Sequence, residues 1–185
     1  MSFLPNMSEF IHPYAINEND EQYKLHVGRY KWAAEMIKGM VVANAACSTN
    51  YGTDFLKAFG RLIIGFDRNP EALKIARSEG RDLVIDKDIQ NETFEGFSTV
   101  VCLETFEHLK EPWKWLENIH PTVKEIVISV PIIPTTQFNE FHLHDFTRDG
   151  FKEGIRERGW NIIHEAFQDE SWLPKPTYIA VYATR

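Results

Sequence analysis

From residue 39 to residue 131 the chain alternates between two kinds of segment, and this constrains its fold more than any other feature. Five short runs, "GMVVANAA", "RLIIGFD", "DLVID", "STVVCLE" and "EIVISVP", are apolar almost without interruption. Between them lie the helical stretches "TDFLKAFG", "NPEALKIARSEG" and "KEPWKWLENIH". A continuously apolar strand is covered on both faces, and strands separated by helices run parallel. The second helix has its own punctuation, with Asn69 as cap, Pro70 at the first helical position and Gly80 as stop. A further helix is expected over "DEQYKLHVGRYKWAAEMIK", where Tyr23, Val27, Tyr30, Ala34 and Ile37 fall at helical spacing. The chain ends differently. A helix over "TRDGFKEGIRERG" leads to "WNIIHEAF", a loop with Pro174 and Pro176, and a last strand "TYIAVYAT". Two strands joined without a helix predict an antiparallel pair at the sheet edge. The expectation is a three-layer α/β sandwich with a mostly parallel seven-stranded sheet and an antiparallel C-terminal pair. Residues 1–185 form one domain in this reading, with 1–20 an irregular arm.

Composition narrows the partners. Of 185 residues, 43% are hydrophobic and 25% charged, which suits a packed domain. The formal net charge of −7, with Lys and Arg scattered, argues against broad binding to duplex nucleic acid or an anionic membrane. Two cysteines, Cys47 and Cys102, are too few for a disulfide framework, so a cytoplasmic protein is expected. No basic, apolar leader opens the sequence, and no apolar run approaches the ~20 residues that span a bilayer.

Ligands of such sheets bind beyond the carboxyl ends of the strands. The candidates therefore lie in Ala45–Gly52, Asp67–Asn69, Asp86–Asp88, Leu103–His108 and Pro131–Thr147. The stretch "VVANAACSTNYGT" runs from a buried strand into a loop of small residues, as a nucleotide-like ligand requires. Asp67 ends the next strand 19 residues after Ser48, where an acid can accept both hydroxyls of a ribose. A helix cap is the alternative role for Asp67, but Asn69 already fills it. Asp88 at the following strand end reads equally as a partner for a purine amine or as a solvated turn residue. "CLETFEHL" places Glu104 and Glu107 three apart and His108 beside them. A helical turn there would put Glu104 and His108 on one face. Further on, "FNEFHLHDFT" supplies His142 and His144. Two carboxylates and a distant histidine can hold Mg²⁺ or Mn²⁺ or act as a general base. The same acids would also suit an ordinary surface helix start.

With these residues in place, the chain resembles a class I S-adenosylmethionine-dependent methyltransferase, a Rossmann-like fold, over roughly residues 21–185. "YKLHVGRYKWAAEMIKG" is similar to the preamble helix of that family and "GFDRNPEALKIAR" to its ribose-binding strand end. "STVVCLETFEHL" resembles its strand-four segment, and "FHLHDFTRDGF" the H-x-x-x-F-T-x-x-x-F segment after strand five. The resemblance implies that Asp67, with Arg68 beside it, binds the cofactor ribose, that Asp88 and Ile89 meet adenine, and that Leu103 and Glu104 wall the sulfonium. It implies a loop contact from Asn44, Ala46, Ser48 and Gly52. In one subset of the family the positions of Glu104, Glu107, His108 and His142 bind a divalent metal, Mg²⁺ or Mn²⁺.

The opening loop departs from the family pattern V-L-D-x-G-C-G-T-G-Y-G, which aligns with Val42 to Gly52. Asn44 lacks the negative charge of the acid, Ser48 adds a Cβ where ligand approaches, and Asn50 is the mildest change. The leading expectation is methyl transfer from S-adenosylmethionine to a small or medium acceptor, with nucleic acid disfavoured by charge. An acceptor hydroxyl would need a base or metal, for which Glu104, His108 and His142 are the candidates. The alternative is a non-catalytic binding or scaffolding protein that keeps the fold and binds cofactor weakly. A nicotinamide oxidoreductase stands third, because G-x-G-x-x-G and a second domain are missing.

Overall fold

The computed structural model describes residues 21–168 and 177–185; the arm 1–20 and the loop carrying Pro174 and Pro176 lie outside the described residues. A seven-stranded sheet runs in the order β3-β2-β1-β4-β5-β7-β6. Its strands are β1 Val41–Ala45, β2 Leu62–Asp67, β3 Val84–Asp86, β4 Thr99–Leu103, β5 Glu125–Pro131, β6 Asn161–Gln168 and β7 Tyr178–Thr184. The first five are parallel, whereas β7 is antiparallel to both β5 and β6. Strand order reverses between β1 and β4, and a cleft opens beyond strand ends at such a reversal.

The helices are α1 Glu21–Met36, α2 Thr53–Leu56, α3 Pro70–Ser78, α4 Pro112–Asn118 and α5 Arg148–Glu157. Consecutive strand residues face opposite layers, so each strand feeds two cores. Val42, Ile63, Val101 and Val127 pack under Tyr30 and Ala33 of α1 and Ile37 just beyond its end. Ala43, Phe66, Val100 and Ile126 pack on the other face with Trp115 of α4 and Phe151 and Ile155 of α5. Every residue of β5 is buried, including Glu125. That carboxylate is tolerable because it accepts from the amides of Lys38 and Gly39 and the hydroxyl of Thr99, each at 2.9 Å. Asn69 caps α3 as the sequence predicts, its side chain accepting from the amides of Glu71 and Ala72. No helix among the described residues is long and apolar enough to cross a membrane.

Two helical expectations are corrected. "TDFLKAFG" makes only one α turn followed by a 3-10 turn at Ala58–Gly60, because Phe59 is left-handed at φ 66°. The segment after β4 does not begin an α-helix either. Glu104 is left-handed at φ 50° and Thr105 is non-helical at φ −142°, so only a 3-10 turn forms at Phe106–His108. Glu104 and His108 therefore do not share a helical face.

Candidate active site

A cavity of about 840 Å³ opens beyond the carboxyl ends of the strands flanking the reversal. One wall is the loop after β1. Ala46, Ser48 and Asn50 sit there at φ 54°, 52° and 56°, the left-handed region that favours glycine. All three coincide with glycines of the family pattern, so the loop keeps a glycine-loop path without glycine. Neighbours hold it in place. The Cys47 amide donates to the Phe66 carbonyl at 2.9 Å, and the Ser48 amide donates to Asp67 Oδ2 at 2.7 Å. Gly65 gives the loop room, since a Cβ there would stand 2.7 Å from Cys47 Sγ and 2.8 Å from Asn50 Oδ1.

Asp67 also accepts from the Asn69 amide through Oδ1, at 2.8 Å. Burial raises its carboxyl above the ordinary range, opposed by these backbone donors. Ser48 Oγ is buried and has no hydrogen-bond partner among the described residues. Asp88 caps the 3-10 turn Ile89–Asn91 by accepting from the Gln90 amide at 3.0 Å, and Arg68 Nη1 lies 3.7 Å from its carboxylate.

Of the cofactor residues expected from sequence, Ala46, Ser48, Asp67, Arg68, Asp88, Ile89 and Leu103 line the cavity. Asn44 and Gly52 are not among its lining residues. Asn44 is buried behind the loop, where its Oδ1 accepts from the Tyr30 hydroxyl at 3.4 Å and its Nδ2 donates to Asn50 Oδ1 at 3.2 Å. Gly52 makes a close approach possible: a Cβ there would meet the Tyr30 ring at 2.1 Å.

The same cavity is lined by the acid–histidine cluster. Donor atoms of Glu107, His108 and His142 all lie within 4.8 Å of one another. The segment bearing His142 is tied to the 3-10 turn at three points. Leu143 N donates to the Glu107 carbonyl, His108 Nδ1 to the Phe141 carbonyl and His144 Nε2 to the Leu109 carbonyl, each at 2.9 Å. His144 is thereby committed to backbone, outside the cluster. Nδ1 of His108 is likewise committed as a donor to a carbonyl.

Glu107 is fully buried, and Oε2 has no hydrogen-bond partner among the described residues. Burial, and then the nearby Glu104, push its carboxyl well above the usual range. His142 is lowered to about 4, first by burial and then by His108, with Asp145 opposing. Glu104 turns elsewhere: its Oε1 accepts from Ser129 Oγ at 2.6 Å and lies 3.7 Å from Arg29 Nε.

Sequence reasoning missed the contribution of α1. His26 and Tyr30, one helical turn apart, line the cavity, as do Tyr51 and Tyr178. Burial, reinforced by Arg29, lowers His26 to about 3. The i, i+4 spacing of His26 and Tyr30 was the available signal.

A family profile described as a methyltransferase domain matches residues 43–126, from β1 into the first residues of β5. Over that span the chain is similar to a methyltransferase domain. The matched span includes the loop, Asp67, Asp88 and Glu104–His108, and stops short of His142. Solved structures match the fold over most of the chain. Magnesium protoporphyrin IX methyltransferase from Synechocystis, with bound S-adenosylhomocysteine, has 14% identity and a TM-score of 0.71, over 88% of this chain and 83% of that one. A small RNA methyltransferase has 18% identity and a TM-score of 0.70, over 96% of this chain and 27% of that one. The cyclase SpnF has 12% identity and a TM-score of 0.69, over 88% and 82%. At such identities these likenesses establish the fold alone. No curated protein matches the sequence.

Proposed function

We propose that the protein transfers a methyl group from S-adenosylmethionine to a hydroxyl of a small or medium acceptor. One observation carries this reading: a single cavity contains both Asp67 with Asp88 and the Glu107–His108–His142 cluster. The first pair suits a nucleoside and the second suits a hydroxyl that must lose a proton. S-adenosylmethionine supplies a methyl group on a positively charged sulfur, and the protein's task is chiefly to align it with the acceptor.

The residues fit that cofactor. Asp67, held by the amides of Ser48 and Asn69, presents a fixed carboxylate to ribose hydroxyls. Asp88 and Ile89 would meet the adenine, and the Ser48 hydroxyl, unpartnered among the described residues, would offer a donor to the carboxylate end. Leu103 and Glu104 wall the region next to the cluster. Where no cation is bound, His142, a neutral imidazole at neutral pH, takes the acceptor proton as general base.

A divalent cation fits the same three residues. Glu107 brings a buried oxygen with no partner among the described residues, and His108 and His142 bring imidazoles within reach of a common ion. Two imidazoles beside one carboxylate favour a transition ion such as Mn²⁺ over Mg²⁺. Bound there, the ion would supply positive charge that acidifies the acceptor hydroxyl. Glu104 is not part of this set; it positions Arg29 and Ser129 instead.

The loop supports a second reading, that of a binding or scaffolding protein, because Ala46 and Ser48 occupy left-handed positions suited to glycine. Calorimetric titration with S-adenosylhomocysteine separates the two. Micromolar binding supports the enzyme, and no heat at millimolar ligand supports the scaffold.

A further inference from the structure

We propose that Phe138 is a stacking platform for the acceptor, and hence that the acceptor is a small planar aromatic molecule bearing the hydroxyl. This rests on the reading of the cavity as a methyl-transfer site. Phe138 lines that cavity yet is 85% exposed, more than any other large apolar side chain among the described residues. An apolar ring held in water at the mouth of a cavity marks a place where ligand removes it from water.

The loop that carries the ring is braced. Asp145 closes its base, accepting from the amides of Thr135 and Thr136 at 2.7 and 3.1 Å and from the Thr136 hydroxyl at 2.7 Å. The Phe138 amide donates to the Thr135 carbonyl at 2.9 Å, while Thr135 Oγ1 lies 2.6 Å from His142 Nδ1. One residue therefore anchors both the platform and the candidate base. A turn closed in this way keeps its end Cα atoms within about 7 Å. Phe138 and His142 thus belong to one braced segment lining the cavity that also holds Glu107 and His108.

The surroundings select among aromatic molecules. Asn139 and Glu140, next in sequence, also line the cavity, and the protein has a net charge of −7. A carboxylate beside the platform disfavours a phosphate-bearing ring, so the base of a nucleic acid fits less well than a neutral small molecule.

The test compares phenol with cyclohexanol, which match in size and hydroxyl count but differ in their capacity to stack. Each is titrated by ligand-observed NMR, with and without saturating S-adenosylhomocysteine. Phenol should bind roughly tenfold more tightly than cyclohexanol. Phe138→Ala should abolish that preference and Phe138→Trp preserve it, with S-adenosylhomocysteine affinity unchanged in both. Equal binding of the pair, or a preference that survives Phe138→Ala, overturns the proposal. A short single-stranded oligoribonucleotide that displaces phenol from wild type and not from Phe138→Ala would reassign the platform to a nucleobase. Failure of S-adenosylhomocysteine to bind, with the phenol preference intact, would instead count against methyl transfer while leaving the platform in place.

Discussion

The loop after β1 offers a stability test whose sign is unusual, since replacing its side chains by nothing should stabilise the protein. Ala46 and Ser48 are left-handed at φ 54° and 52°. That conformation costs an L-residue about 1–2 kcal/mol, while glycine adopts it freely but loses about 0.5–1 kcal/mol of extra chain entropy on folding. Ala46→Gly should therefore stabilise by about 0.5–1 kcal/mol. Ser48→Gly removes the same strain and also a buried hydroxyl that lacks a partner among the described residues, a further ~1 kcal/mol. The backbone bond from Ser48 to Asp67 survives both changes. Asn50, at φ 56°, is the contrast. Its Oδ1 accepts from the Thr53 hydroxyl and from Asn44 Nδ2, so Asn50→Gly strands two buried donors and should destabilise by about 1–2 kcal/mol. The predicted order of stability is Ser48→Gly, then Ala46→Gly, then wild type, then Asn50→Gly. Urea unfolding measures it, and thermal midpoints should move about 2–4 °C per kcal/mol for a chain of this size. A destabilised Ser48→Gly with an unchanged m-value would refute the strain argument. If its stability rises while S-adenosylhomocysteine binding weakens, the hydroxyl is a ligand contact.

Three further outcomes are expected. Asp67→Ala should weaken S-adenosylhomocysteine binding by about 1–3 kcal/mol through loss of a charged acceptor, and calorimetry that finds the affinity intact would remove Asp67 from the site. His26 has a folded-state value of about 3, below its unfolded 6.5, so the folded protein resists protonation there and loses stability as pH falls from 6.5 toward 3. The loss at pH 5 is about 2 kcal/mol; His26→Gln should flatten the pH–stability curve across that window, and parallel curves for the two proteins would disprove the assignment. Glu107, raised well above the carboxylate range, must release its proton to a cation, so Mn²⁺ affinity should rise with pH and disappear in Glu107→Gln. Retained Mn²⁺ binding in that variant, followed by calorimetry, would exclude the cluster.

The fold was legible because each of its determinants is local. Continuous apolar runs such as "TVVCL" identify strands buried on both faces, and Asn69 with Pro70 marks a helix start whatever surrounds it. Asp67 was readable for a similar reason, since the end of a parallel strand fixes where its side chain emerges. The loop was harder. Its residues are small but carry no glycine until Gly52, and the left-handed path of Ala46, Ser48 and Asn50 is imposed by Gly65, Phe66 and Asp67 of the neighbouring strand. The surroundings of Asn44 were hidden on the same account. Its position in the family pattern suggested contact with ligand, whereas the register of β1 turns it inward toward Tyr30 and Asn50.

Glu104 shows most clearly what spacing leaves out. Helical geometry would gather Glu104 with Glu107 and His108, and the proximity in sequence is real. The fate of Glu104 is decided by β5, where Leu103 pairs with Ser129, bringing the Ser129 hydroxyl to the Glu104 carboxylate. Arg29 arrives from α1, 75 positions earlier, and adds a second attraction away from the cluster. Glu107, which feels Arg29 only as a minor influence, is left facing two histidines with Oε2 unpartnered among the described residues. Two carboxylates three residues apart thus acquire different chemistry because only one of them finds a donor across the sheet. One becomes a hydrogen-bonded brace between β4, β5 and α1, and the other a buried acid whose proton is the natural one to exchange for a cation.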